Sequence, residues 1–223
     1  MYLLILFLPL FSSIFSGLWG RKIGTEGAGI ITSVCMIINF SLSFFIFYET
    51  IIETSATFLK WGRWIDYNLF INTWGLQFDP LVTNMLFIVT GVSAVVHVYS
   101  TVYMEKDPHL PRFMSYLSIF TFFMIFLVTS DNFLQLFIGW EGVGLCSYLL
   151  INFWFTRIQA NKAAIKAMLI NKVGDIGLIL AIFNIWYEFG SLDFNSIYIY
   201  TTINQFYNGR TVNIICLYSF RCG

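Results

Sequence analysis

Charge is the scarcest resource in this chain. Only 11% of its 223 residues are Asp, Glu, Lys or Arg, against about 25% in soluble domains. The 12 basic and 12 acidic residues cancel, so no surplus of either sign invites a polyanionic partner such as nucleic acid. Cysteine is sparse, and Cys35, Cys146, Cys216 and Cys222 follow neither metal-ligand spacing nor a disulfide framework. A Gly-rich phosphate loop, a Ser/His/Asp set and a zinc pattern are all missing. Together these absences exclude a disordered chain, a nucleic-acid binder and an ordinary cytosolic enzyme. What is abundant is apolar surface, with 58% hydrophobic and 20% aromatic residues. The expected class is an all-α polytopic membrane protein.

Crossing a hydrocarbon core of about 30 Å takes about 17–25 apolar residues. Six stretches qualify: about Met1–Trp19, Gly29–Tyr48, Leu81–Met104, Phe113–Ser130, Phe133–Phe155 and Ala163–Trp186. A seventh begins near Val212. Met1–Leu18 is read as a retained helix and not a signal peptide, because its basic residues Arg21 and Lys22 follow the apolar run. Alternating the six spans puts Arg21, Lys22, Lys106, Arg112, Arg157, Lys162 and Lys166 on one side, and only Lys60, Arg63 and Arg210 on the other. Basic loops stay inside, so the first side faces the matrix or cytoplasm and the N-terminus faces the intermembrane space or periplasm.

The outer loop between the second and third spans, about residues 58–78, carries Trp61, Trp64, Tyr67, Phe70 and Trp74 among Gly, Asn and Asp. That alternation predicts a short β-hairpin; an interfacial aromatic belt reads the same residues equally well.

Ionisable groups inside a span are informative because each costs about 2.5–3.5 kcal/mol at mid-helix. Glu141 sits in the fifth span; Lys172 and Asp175 sit in the sixth. Uncompensated, the three would cost on the order of 7–10 kcal/mol. Lys172 and Asp175 are three apart and share a helix face, so they form either a self-neutralising pair or part of a charge path. Glu141 has no opposite charge in its own helix. Burial favours its neutral form and a nearby cation its charged form, so between the two it can load and release a proton; a permanently protonated, hydrogen-bonded Glu is the alternative. Gly139, Gly142, Gly144, Gly174 and Gly177 flank these groups, permitting close helix approach or local unwinding. His97 and Lys166 are secondary candidates; His97 either relays protons or bonds a neighbouring helix. His109 lies in a Pro-rich loop and is structural or solvated.

The runs Phe113–Met124, Asp131-Asn132 and Gly139-Trp-Glu-Gly-Val-Gly-Leu-Cys-Ser-Tyr-Leu-Leu150 resemble the NADH dehydrogenase subunit 5 family, the most distal antiporter-like subunits of respiratory complex I. Asn152-Phe-Trp-Phe155, Ala163-Ala164, Lys166-Ala167 and Asn171-Lys-Val-Gly-Asp-Ile-Gly177 extend the resemblance, as do Trp74-Gly75, Phe78-Asp79 and His97-Val-Tyr-Ser100 upstream. It covers roughly residues 1–215, specific over 113–177 and loose before residue 60.

The resemblance implies a proton-pumping module of the membrane arm. Glu141 matches the family's fifth-helix glutamate, which there pairs with a seventh-helix lysine, and Asp175 matches the sixth-helix aspartate. Lys172 stands where the family usually has Arg, keeping the charge without the bidentate fork. Residues 1–112 would hold three helices and the outer hairpin, and 113–223 the start of the proton-translocating module. The family continues beyond this point with further helices, so either a second chain carries the remainder, which is the preferred expectation and makes that chain a partner, or the product is truncated. Other expected partners are the membrane-arm subunits, especially the antiporter-like subunit 4, and the lipid bilayer. The resemblance places no cofactor on this chain; NADH, FMN, iron–sulfur clusters and ubiquinone belong to other subunits. The expected location is the mitochondrial inner membrane, with a bacterial plasma membrane as the alternative. Rival functions are a sodium/proton antiporter large subunit and a non-pumping membrane anchor.

Overall fold

A computed structural model describes residues 1–52, 55–67 and 70–208. The expected start of a seventh span at Val212 lies outside them. Among the described residues the order is helix α1 (Tyr2–Ile51), strands β1 (Thr57–Tyr67) and β2 (Phe70–Phe78), then helices α2 (Pro80–Tyr103), α3 (Leu110–Val128), α4 (Phe133–Ile151), α5 (Ile158–Phe189) and α6 (Phe194–Asn208).

Five helices, α1 to α5, are long and apolar enough to cross a membrane. The chain is a multi-pass membrane protein. The first two expected spans are joined in α1, whose 50 residues are broken at Gly24 with φ 85° and ψ 173°. Only glycine takes that conformation freely. The break reverses the chain: Ile5, Leu6 and Ile46 share one apolar cluster with Leu76, Phe78, Leu86 and Ile125, although a straight helix would separate Ile5 from Ile46 by about 60 Å. Sequence reasoning expects a loop over residues 20–28, whereas helix runs to either side of one hinge residue.

The remaining boundaries follow local chemistry. Asp79 caps α2 by accepting from Val82 N at 2.7 Å, with Pro80 at the first helical position, where its missing N–H costs nothing. Asn132 caps α4 through Gln135 N at 2.8 Å. Gly190, at φ 67°, ends α5 in the left-handed conformation. Helix α6 has no counterpart among the expected elements; its Asn- and Tyr-rich sequence lacks the apolar run that marks the others.

β1 and β2 pair antiparallel, from Thr57↔Phe78 to Tyr67↔Phe70, with irregularities near Lys60 and Arg63. The strands fall within about the expected bounds, 58–78, and carry the aromatic residues of that loop. Trp61 stacks on Phe7 of α1 at 5.7 Å and Trp64 on Trp74 at 4.4 Å. Leu76 and Phe78 are buried in the apolar cluster, so β2 caps the helices instead of floating above them. Gln77 N donates to Thr129 O at 2.9 Å, which ties the sheet to the α3–α4 connection.

Polar contacts register the first helices. Ser13 Oγ lies 3.3 Å from Ser115 Oγ, joining α1 to α3. Ser43 and Thr90 hydroxyls meet at 2.8 Å, joining α1 to α2.

Candidate functional site

α4 and α5 bring the three intramembrane charges together. The α3–α4 crossing comes first, because it orients α4. A Cβ on Gly139 would lie 2.7 Å from the Cα of Leu127, and one on Gly142 would collide with the Phe123 ring. These two glycines therefore permit close backbone approach, with α4 helical throughout. Gly144 faces the other way, toward Asn171 Nδ2 of α5.

With α4 so turned, Glu141 looks across to α5. Lys172 Nζ lies 2.5 Å from Glu141 Oε2 and 3.3 Å from Asp175 Oδ2. Sequence spacing anticipates the second contact but not the first, because it is silent on which helices are neighbours. One lysine serves two carboxylates. Asp175 is only 4% exposed and is fixed a second time by Trp140, whose Nε1 donates to Oδ1 at 3.1 Å. The Glu141 side chain is 34% exposed and that of Lys172 49%. All four residues line a cleft of about 250 Å³, together with Ser147, Met168 and Asn171.

Trp140 is the contributor that motif reading missed. Its signal is an indole N–H within an apolar span, a donor that needs a partner when removed from water. The arrangement is chemically asymmetric: Asp175 is held from two sides, while Glu141 depends on Lys172. One cation facing two carboxyl groups leaves one net negative charge when both are ionised.

The secondary candidates lie elsewhere. His97 of α2 is completely buried. Its Nδ1 bonds Ser93 O at 2.8 Å, and its Nε2 lies 3.3 Å from Ser118 Oγ of α3. Both ring nitrogens are thus engaged, Nδ1 within α2 and Nε2 across to α3. Lys166 is exposed on α5 and does not line the cleft.

Two family models match this chain. Residues 64–114 match NADH-Ubiquinone oxidoreductase (complex I), chain 5 N-terminus, and residues 130–220 match NADH:quinone oxidoreductase/Mrp antiporter, TM. Among curated relatives, NADH-ubiquinone oxidoreductase chain 5 of Metridium senile is 60% identical over 99% of this chain and 36% of its own length. The Arabidopsis thaliana protein of the same name is 52% identical, over 99% of this chain and 34% of its own. The chain thus spans about a third of the length of the relatives it matches. In fold it is similar to a chain of the Mrp complex from Dietzia sp. DQ12-45-1b, with TM-score 0.71, 23% identity, and coverage of 86% of this chain and 20% of that one. A chain of the membrane-bound sulfane sulfur reductase, an archaeal respiratory membrane complex, matches with TM-score 0.77 and 14% identity over 99% of this chain and 43% of that one. High identity across nearly the whole chain, with both family models in sequence order, leads to one conclusion: the chain belongs to the NADH-ubiquinone oxidoreductase chain 5 family, matching its N-terminal portion.

Proposed function

We propose that this chain is the N-terminal part of a proton-translocating membrane subunit of NADH:ubiquinone oxidoreductase. The observation that carries this reading is the single lysine shared by a firmly held Asp175 and a loosely held Glu141. In this mechanism a charge change elsewhere in the membrane arm draws Lys172 toward Asp175, Glu141 loses its cation, and its carboxyl takes a proton. Return of the ammonium expels the proton. Coupling is electrostatic and reciprocal: whatever biases Lys172 biases proton occupancy, and the reverse. NADH oxidation, flavin, iron–sulfur and ubiquinone chemistry take place on other subunits.

The reading extends to six membrane crossings, two of them within α1, with residues 1–112 as a helix-and-hairpin unit and 113–223 as the start of the translocating module. The N-terminus and the β1–β2 sheet face the intermembrane space in a mitochondrial inner membrane, as the distribution of basic residues supports. Partners are the neighbouring membrane-arm subunits, foremost the antiporter-like subunit 4.

The test is Glu141→Gln in the assembled complex, with protons translocated per NADH oxidised as the readout. Loss of translocation with the complex still formed is the expected result. Undiminished pumping would transfer the chain to the anchor reading. A sodium/proton antiporter large subunit is the second reading, favoured by the fold likeness to the Mrp complex. Abolition of transport by a quinone-site inhibitor separates the redox-driven pump from that antiporter.

A further inference from the structure

A second set of titratable groups lies outside the cleft, on the sheet side of the molecule. Asp131, in the α3–α4 connection, is 8% exposed. Its carboxylate presses against Gly75 of β2, where any Cβ would overlap it. Asp131 Oδ1 accepts from Asn132 Nδ2 at 2.8 Å. The same amide donates to Thr73 O of β2 at 2.8 Å, while Asn132 Oδ1 caps the first turn of α4 through Gln135 N. Gln135 in turn accepts from Gly75 N at 3.2 Å. The Asp131 carbonyl accepts from Phe194 N at 3.2 Å, which brings in the connection leading to α6. This one residue therefore ties together the sheet, the start of α4 and the α5–α6 connection.

The charged groups facing it are Asp193, from the α5–α6 connection, and Lys60, from β1. Lys60 Nζ lies 3.6 Å from Asp193 Oδ2. The nearby groups of β2 and α4 are neutral: Gly75, Thr73, Asn132 and Gln135. Lys60 pairs with Asp193 and acts on Asp131 only through its charge. Burial and then the Asp193 charge push the Asp131 carboxyl up to about 6, against the lowering effect of Lys60 and of hydrogen bonds from Asn132 and the backbone.

We propose that Asp131, facing Asp193 and Lys60 beneath the sheet, is a proton-binding site separate from the Glu141–Lys172–Asp175 cluster, and that its occupancy acts on the first turn of α4 through Asn132. Ionised, Asp131 accepts from the Asn132 amide. Protonated, it no longer offers a charged acceptor to that amide, and its repulsion with the Asp193 charge is relieved. Asn132 holds both this bond and the α4 cap, and Glu141 follows nine residues later, about 13 Å along the same helix. The site rests on the functional reading above for its consequence, though not for its existence.

Two measurements on the intact complex in sealed vesicles test it. The first is infrared titration of protonated-carboxyl absorption, which needs no pumping. The second is NADH-driven proton translocation as the pH on the sheet side is varied alone. Both should show a step near pH 6 that Asp131→Asn removes. Asp193→Asn, deleting the like charge, should move the step down, and Lys60→Gln, deleting the cation, should move it up, each by about 0.5–1 pH unit. A merely structural Asp131 would not give shifts of opposite sign, and these two variants carry the test even where Asp131→Asn impairs assembly. An infrared step absent from the wild type, surviving in Asp131→Asn, or unmoved by both neighbours overturns the proposal. An infrared step with the expected shifts but no matching step in translocation keeps the proton site and overturns its action on α4. Failure of Glu141→Gln to affect pumping strikes the functional reading alone.

Discussion

Lys172 is the residue on which the cleft turns, since its ammonium is the only cation within reach of Glu141 and Asp175 among the described residues. Lys172→Met strands two carboxylates. Removing one partner of a buried ion pair costs about 3–5 kcal/mol, a figure to be discounted here because the lysine side chain is 49% exposed. The expected outcome is loss of proton translocation and reduced assembly, checked by vesicle acidification per NADH and by complex yield. Lys172→Arg keeps the charge and should retain assembly and most pumping. Trp140→Phe removes one neutral-to-charged hydrogen bond to Asp175, worth about 1.5–3 kcal/mol. Asp175 then competes harder for Lys172, so the variant should lower pumping without preventing assembly. At this scale the sequence was readable in identity but not in pairing. Glu141, Lys172 and Asp175 announce themselves as charges in apolar runs, and the Lys172–Asp175 contact follows from helical spacing. The Lys172–Glu141 contact joins residues 31 positions apart, and no periodicity encodes which helices touch.

Among elements, the α3–α4 crossing sets the orientation of Glu141. Gly139→Ala places a methyl against the Leu127 backbone, which cannot yield as a side chain can. Overpacking of this kind costs typically about 1–3 kcal/mol. Gly144→Ala meets only the Asn171 side chain at 3.5 Å, an ordinary contact, and should be tolerated. Thermal stability of the purified complex should separate the two variants, with only the first lowered. The sheet-to-α4 junction should respond to pH with a definite sign. Asp131 has its folded carboxyl raised from 3.8 to about 6, so between those values the folded state holds more proton than the unfolded one. Stability of the junction therefore falls as pH rises through that window and is greatest below it. Hydrogen exchange of β2 amides, corrected for intrinsic rates, should be slower at about pH 5 than at about pH 7. The sheet itself was legible from its aromatic and glycine pattern, whereas the caps Asp79 and Asn132 emerge only with the structure. The fold-back inside α1 was legible only as a polar gap. That one glycine takes the whole reversal depends on packing of Ile5 and Leu6 against Ile46.

At the scale of the whole molecule, the open face of α5 needs cover. Lys172 shares it with Leu169, Val173 and Ile176, all exposed. A lipid-facing ammonium in mid-span would be expensive, so packing of further polypeptide on this face is the expected outcome. Val173→Cys should cross-link to protein, and should resist a lipid-dissolved thiol reagent, in the intact complex. Ready labelling from the lipid phase would instead make the face bilayer-exposed.

Composition and hydrophobic run length by themselves determined that this is a helical membrane chain, because the bilayer prices every apolar and charged side chain locally. The same local cost singled out three residues as candidates. What only the tertiary structure decided is partnership: Lys172 between two carboxylates, Trp140 on Asp175, and Asp131 buried against Gly75 beside Asp193. These depend on glycine-permitted approach of segments distant in sequence, and their energies exist only once neighbouring elements have removed the water between them.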